Sequence, residues 1–549
     1  MQSLLHLLVI APFVAAILMV MTSKEDSKSS SRIAILMGII FAAMSVALVA
    51  GGDISTDPVE WFHIPGCKGP VYYYLFASGF SSWMVLLSCG LSLVALISAR
   101  DITCRSYRNF AIGIFSLMGA MNGTFLAADA VVFFFFFEAM VIPAAILIAG
   151  FGGKDRMKAA MTFAIYTLVG SAPMMVALWY LLTVADGSSV VALAEAVQHP
   201  NLIPEGTKTI LFGSFLLAFL VKTPIFPFHG WQAISYAEAP APLSAILTGA
   251  MSKAGVFGLI VWVNPIFPIY MDTASLLMWL GLFTAVYGAL MALRATDGKK
   301  LLAFSSMGHL GLAVAGVFSG SEAMLQAVLV LLVAHGISAG AQFFLMGIAE
   351  RMAGTRELDK LGGLSGTNPV FGTLFGFAGV MALAVPGTAG FVGEFSVLLA
   401  LWDMGPLPAL VAGFTLILSA AYMLRFIQKV IFGKPSSEYN NARRTTLLEG
   451  TSIGIMLLLL LVFGFHPAFV TDSLIETEST EDPAAIQVLN AAALNNGEVP
   501  MTAEEIHQLD STLAAAGFKE DERASIIAQM KGVNDTEAAK SVKEASDAE

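Results

Sequence analysis

The sequence predicts an all-α polytopic membrane protein with about 14 transmembrane helices, and three observations predict it. Of 549 residues, 57% are hydrophobic and only 13% are charged. Apolar runs long enough to cross a hydrocarbon core of about 30 Å recur along the chain. Basic residues gather in every second loop between those runs, which is the pattern of the positive-inside rule.

The candidate spans are 3–21, 33–50, 76–99, 109–127, 129–149, 161–184, 209–237, 241–264, 275–293, 299–318, 323–348, 370–402, 408–432 and 448–468. The first apolar run, Leu4–Met21, has no basic start and no small-residue cleavage site. It therefore reads as a retained helix rather than a signal peptide. Residues 51–75, with Pro58, Pro65, Gly66, Gly69 and Pro70, read as an outer loop. Loop 1–2 carries Lys24, Lys28 and Arg32; loop 3–4 carries Arg100, Arg105 and Arg108; loop 5–6 carries Lys154, Arg156 and Lys158. Loop 9–10 carries Arg294, Lys299 and Lys300; loop 11–12 carries Arg351, Arg356 and Lys360; loop 13–14 carries Lys434, Arg443 and Arg444. The even loops hold only Lys68 and Lys208. One miscounted span would scramble this alternation. The rule thus puts the odd loops in the cytoplasm and both termini on the outer, periplasmic side.

After the last span the composition changes. Residues 471–549 hold 17 Asp+Glu against 5 Lys+Arg, a net of −12, so the whole-chain charge of −11 leaves +1 for everything before them. The acidity belongs to a tail. Within it, Ala503–Ala516 and Glu520–Met530 space apolar residues as short helices would. A small soluble appendix on the outer side and a disordered acidic tail both fit. Cys67, Cys89 and Cys104 lie scattered without CxxC spacing, and no iron–sulfur, haem-attachment or zinc motif can be built from them.

The chemistry sits inside the spans. In LAFLVKTPIFPFHGW, Leu217–Trp231, Lys222 lies within a hydrophobic helix. A lysine at that depth costs about 2.5–3.5 kcal/mol. Pro224 and Pro227 then break the helix and free the carbonyls of Leu220 and Thr223. The fifth span carries Glu138 in VVFFFFFEAMVIP, with Pro143 opening the helix next to it, and the eighth carries Lys253 in GAMSKAGVFGL. His309 lies in FSSMGHLG and His335 in LLVAHGISAG, and the twelfth span breaks at Pro386-Gly387 before Glu394 in GFVGEF. A single such residue could be a satisfied structural group. Six on six helices each demand compensation, and intramembrane ionisable residues commonly form proton relays. Interrupted helices in two parts of the chain are the pattern of inverted-repeat transporters. An ion pair about 4 Å apart at an effective dielectric of about 20 is worth about 4 kcal/mol. Moving Glu138 towards or away from Lys222 could therefore load and unload a proton. A stand-alone solute permease is disfavoured because no solute-binding motif accompanies these charges. A haem carrier is disfavoured because His309 and His335 do not make the paired sets such proteins use.

The motifs FFEAMVIP, VKTPIFPFHGW, EAPAPLSAILTGAMSKAGVFGL, DGKKLLAFSSMGHLG, VAHGISAGAQFFLMG and GFVGEF occur in this order over residues 60–470. In them the chain resembles the antiporter-like subunits of respiratory complex I, most closely those of the M type. The resemblance implies two inverted five-helix repeats, each with a half-channel, joined by a central hydrophilic axis. It implies N-terminal helices 1–3 with the outer loop in 1–108, a first repeat of helices 4–8 in 109–264, and a second of helices 9–13 in 275–432. Helix 14 would occupy 448–470 and the acidic extension 471–549.

Carried over by motif, Glu138 and Lys222 match the family's glutamate–lysine pair. Lys253 matches its connecting lysine, His309 and His335 its central polar residues, and Glu394 its twelfth-helix terminal residue. Glu394 separates the M type from L and N types, which usually carry lysine there. The implied function is proton translocation in the bacterial inner membrane, as a subunit of an NADH:quinone oxidoreductase with no redox centre in this chain. FMN and iron–sulfur clusters would lie in partner subunits, and L-, N- and small-subunit types would be its membrane partners, with no nucleic acid. Hydrogenase, ferredoxin- or deazaflavin-dependent dehydrogenase and sodium/proton antiporter complexes use related subunits and form the alternative. One segment departs from the pattern. Where relatives often read WLPDAHxEAP, this chain reads WQAISYAEAP, with Ile234 or Ser235 and Tyr236 in place of an aspartate and a histidine.

Overall fold

The structure is a computed structural model and describes residues 2–22, 26–101, 106–268, 273–321, 323–434 and 444–475. The two helices expected in the acidic extension lie outside the described residues, as do Lys24, Cys104, Arg105 and Arg443.

Helices α1 (Gln2–Val20), α2 (Ser27–Val49), α3 (Gly79–Ser98) and α4 (Tyr107–Leu126) open the chain. The fifth span is α5 (Ala130–Ala139) continued by α6 (Val141–Phe151), and α7 (Arg156–Val184) and the short α8 (Val190–Gln198) follow. The seventh is α9 (Glu205–Lys222) and, after an unwound stretch, α10 (Gln232–Glu238). The eighth runs through α11 (Ala241–Ile246), α12 (Lys253–Gly258) and α13 (Asn264–Ile266), with π-helical turns at Leu247–Met251 and Leu259–Val263 on either side of α12. Next come α14 (Ala274–Arg294), α15 (Gly298–Val317), α16 (Met324–Ala353) and the single turn α17 (Leu364–Thr367). The twelfth span is divided into α18 (Pro369–Ala382) and α19 (Ala389–Trp402), before α20 (Pro406–Ile431), α21 (Leu447–Phe465) and α22 (Ala468–Ile475). Among the described residues, 12 helices or helix runs are long and apolar enough to cross a membrane. The other two expected spans are the interrupted seventh and twelfth.

Local chemistry explains the boundaries. Ser78 and Ser81 form a capping box at the start of α3, and Thr446 and Glu449 form one at α21. Asp129 caps α5 and Asp297 caps α15, each carboxylate accepting from two first-turn N–H groups. Gly354, at φ +67°, ends α16 in the left-handed region that glycine adopts without strain.

Within the segment expected to be an outer loop, residues 54–77 form two antiparallel pairs. Strand β1 (Ile54–Ser55) pairs with β4 (Phe76–Ala77), and β2 (Val59–His63) pairs with β3 (Pro70–Tyr73). The alternation of Val59, Trp61, Tyr72 and their neighbours suits a strand, and Pro70 sits at a strand start where its missing donor is harmless.

Burial sorts the helices. In α1, α2 and α7, whole rows of large apolar side chains such as Ile17, Ile39 and Val169 face outward. The run α11–α13 and the 30-residue α16 are almost wholly enclosed by protein. The charged residues of the core lie on or beside these two enclosed elements.

Candidate functional site

Close approach of α16 to the α11–α12 run is the first requirement of the site, and glycine provides it. A Cβ on Gly336 would meet the Gly249 carbonyl at 2.7 Å, and one on Gly249 would meet the Gly336 carbonyl at 2.9 Å. Gly336 follows His335, and Gly249 lies one turn before Lys253. The two backbones therefore touch where their polar side chains meet.

Lys253 Nζ lies 2.7 Å from His335 Nδ1 and donates to the Thr248 carbonyl at 2.5 Å. That carbonyl belongs to the π-helical turn, where the wider winding leaves backbone oxygens open to other donors. The His335 ring stacks on His309, with centroids 5.0 Å apart and planes at 23°. His309 Nε2 then lies 3.0 Å from Glu394 Oε1, and its Nδ1 lies 2.8 Å from the Ser305 carbonyl. A carbonyl only accepts, so Nδ1 carries a hydrogen and Nε2 shares a proton with the glutamate. An ammonium only donates, so a charged Lys253 meets a lone pair on His335 Nδ1. The result is two pairs, lysine–histidine and histidine–glutamate, each sharing one proton and stacked ring on ring. His335 Nε2 and Glu394 Oε2 are buried without a hydrogen-bond partner among the described residues. Both residues line a cavity of about 20 Å³ with His309, Ser338 and Gln342, room for about one water.

Lys222 and Glu138 stand apart from this row. Lys222 is 1% exposed, and among the described residues its Nζ has no hydrogen-bond partner. It lies 4.6 Å from the centroid of Phe137, a cation–π contact that desolvation strengthens. Glu138 interacts with it electrostatically and with the Ser171 side chain. Among the described residues no ion pair within 4.0 Å joins the two. The helix break is largely satisfied by protein. The Leu220 carbonyl accepts from the Ile225 N–H at 3.0 Å, and Val221 O accepts from Trp231 Nε1 at 3.0 Å. Gly255 packs so closely on Thr223 and the Phe219 carbonyl that the helix of Lys253 crosses directly against the end of α9.

Sequence reasoning missed Thr248 and Ser305, which act through backbone carbonyls and leave no side-chain signature. It also missed a polar cluster at the ends of the helices. Arg356 donates through Nε to Asp297 at 2.6 Å, through Nη1 to the Ala237 carbonyl at 2.6 Å, and through Nη2 to Glu238 at 2.5 Å. Burial pushes the Glu238 carboxyl up. Hydrogen bonds from Arg356 and the Asp155 N–H, and the charges of Arg356 and Lys299, outweigh it and hold the group below the ordinary range. Tyr236, in the segment that departs from the relatives' pattern, is buried, and its hydroxyl donates to Leu247 O at 3.0 Å.

A family model described as "NADH:quinone oxidoreductase/Mrp antiporter, TM" matches residues 127–419, which contain all six intramembrane residues. The chain belongs to this antiporter-like family of membrane subunits. Its curated relatives include NADH-quinone oxidoreductase subunit M of Rhodobacter capsulatus, 30% identical over 86% of this chain and 95% of that one. Subunit M of Escherichia coli K12 is 31% identical over 86% of this chain and 96% of its own. A chain of respiratory complex I from Thermus thermophilus superposes with a TM-score of 0.78 at 29% identity, covering 90% of this chain and 100% of that one. A chain of the Mrp complex from Dietzia sp. DQ12-45-1b shares the antiporter-like fold, with a TM-score of 0.76 at 20% identity over 89% of this chain and 99% of the other.

Proposed function

We infer that this chain is the proton-translocating, M-type membrane subunit of an NADH:quinone oxidoreductase, a multi-pass subunit working among other membrane subunits in the bacterial inner membrane. The observation that carries the mechanism is the row Lys253–His335–His309–Glu394, two hydrogen-bonded pairs brought together by stacking of the two imidazole rings. Two histidines between a lysine and a glutamate let a proton pass by small changes of ring orientation and charge, without any group leaving the protein. Buried charges in such a row interact strongly because water does not screen them. Lys222 and Glu138 form the input end in this reading. Lys222 lies over the face of Phe137 and has Glu138 as its electrostatic partner, which supports taking the two as the input pair.

Two inverted repeats, 109–264 and 275–432, follow from the same reading. Asp129 and Asp297 each cap a helix and each forms an isolated antiparallel bridge with a residue sixty positions on, Ser189 and Glu357. The helices before 109, the last span at 448–470 and the acidic extension of 471–549 are the remaining units. Termini and extension on the outer side agree with the basic loops. Electrons run through FMN and iron–sulfur clusters of partner subunits, and electrostatics connects them to this chain.

The test uses the whole complex, purified with Lys222→Ala or Glu138→Ala in this chain and reconstituted in liposomes. NADH oxidation with fewer protons moved per electron is expected in both. An unchanged proton-to-electron ratio in both variants would end the proposal.

A further inference from the structure

The cluster around Arg356 joins ends of helices that belong to the two proposed repeats. Its three guanidinium arms reach Asp297, which caps α15, and Ala237 and Glu238, which precede α11. The backbone reinforces this, since Gly298 N donates to Arg356 O at 2.9 Å and Leu358 N donates to Thr296 O at 2.8 Å. Lys299 adds a second tie, from Nζ to Ala239 O at 3.2 Å and to Glu350 at 2.7 Å. Glu238 is held from its other side by the Asp155 N–H at 2.9 Å, and its own carbonyl accepts from Gly153 N–H at 2.8 Å.

The helices that start at this cluster carry the proton row. Lys253 lies on the run beginning at Ala241, and His309 lies on α15, which begins at Gly298. Each is about 11–12 residues from the cluster, or roughly 17 Å at 1.5 Å per residue. The row requires both to meet His335 at hydrogen-bond or stacking distance, so an axial slip of one helix by about 1 Å breaks it. The corresponding cap in the first repeat, Asp129, is closed by the hydroxyl of Ser188 and by Tyr72 N–H at 3.1 Å, with no cation on it among the described residues. The guanidinium is therefore particular to the end where the two repeats are tied together.

We propose that Arg356 is a positioning residue that fixes the axial register of the helix carrying Lys253 against the helix carrying His309, and so keeps the proton row in contact. Three planar N–H bonds in two directions are something a lysine cannot reproduce. The proposal rests on the proton path inferred above.

The experiment measures protons moved per NADH by the reconstituted complex, a ratio that does not change when less complex assembles. Arg356→Met and Arg356→Lys are expected to lie more than half-way from wild type towards Lys222→Ala. Glu238→Gln added to Arg356→Met should lower the ratio no further, because both act through one contact. A ratio for Arg356→Met nearer wild type, full rescue by lysine, or additive losses overturns the proposal. If Arg356→Met does not assemble, Asp297→Asn and Glu238→Gln each remove one arm, and a wild-type ratio in both overturns it equally. Should Lys222→Ala itself leave the ratio untouched, the proton-path reading fails first, and the two failures are told apart.

Discussion

Lys253 and His335 meet at 2.7 Å across two helices whose backbones touch at Gly249 and Gly336. Lys253 is fully buried, and among the described residues its partners are this nitrogen and the Thr248 carbonyl. Replacing His335 by Phe would keep the stacking on His309 and remove the proton acceptor. Proton pumping by the complex should fall by about a hundredfold, the scale of a lost acid–base group, while NADH oxidation by an artificial acceptor in the partner subunits continues. Pumping at the wild-type rate would place the path elsewhere.

Gly336→Ala tests the approach itself. The new methyl would lie 2.7 Å from a backbone oxygen that cannot rotate away. Overpacking of this kind costs about 1–3 kcal/mol. The expected outcome is a complex with a lower melting temperature and reduced pumping, read by thermal inactivation and proton uptake. Gly450→Ala is the control, because its Cβ would meet only ordinary contacts at 3.8 Å or beyond.

Glu394→Gln keeps the shape at His309 and removes the charge. The amide can donate to or accept from Nε2, but it cannot take up or release the shared proton. Pumping should drop steeply with little loss of assembled complex. Glu394→Asp, which keeps the carboxylate on a shorter stem, should retain part of the activity.

Glu238 gives a pH dependence with a definite sign. Its folded carboxyl titrates below the ordinary 4.5 because Arg356 and the Asp155 N–H outweigh burial. A depressed acid contributes stability above its unfolded value and loses it as pH falls through the folded value. The complex with Glu238→Gln should therefore be less heat-stable than wild type at neutral pH. The difference should shrink below pH 4.5, as thermal melts at several pH values would reveal.

Much of this was legible in the chain. Hydropathy and the alternating basic loops mark where helices cross, because burying apolar length and excluding cations from one side act locally along the sequence. Proline at 224, 227 and 386 marks the interrupted helices, since a missing N–H frees a carbonyl wherever the chain goes. Six ionisable residues inside apolar runs stand out by their cost alone. The resemblance to complex I subunits named the same six residues.

Which of them touch was decided only by the tertiary structure. Lys253 and His335 lie 82 positions apart, and His309 and Glu394 lie 85 apart. Their meeting depends on glycine contacts and helix register that no local pattern encodes. The same holds for Lys222, which settles on Phe137 rather than against Glu138, and for Arg356, which reads in sequence as one more basic loop residue. Sequence fixes the cost of placing each charge in the membrane. Packing chooses the partner that offsets it, because an unpaired charge in a dry interior is stabilised only by whatever side chain, ring or carbonyl the fold brings within a few ångströms.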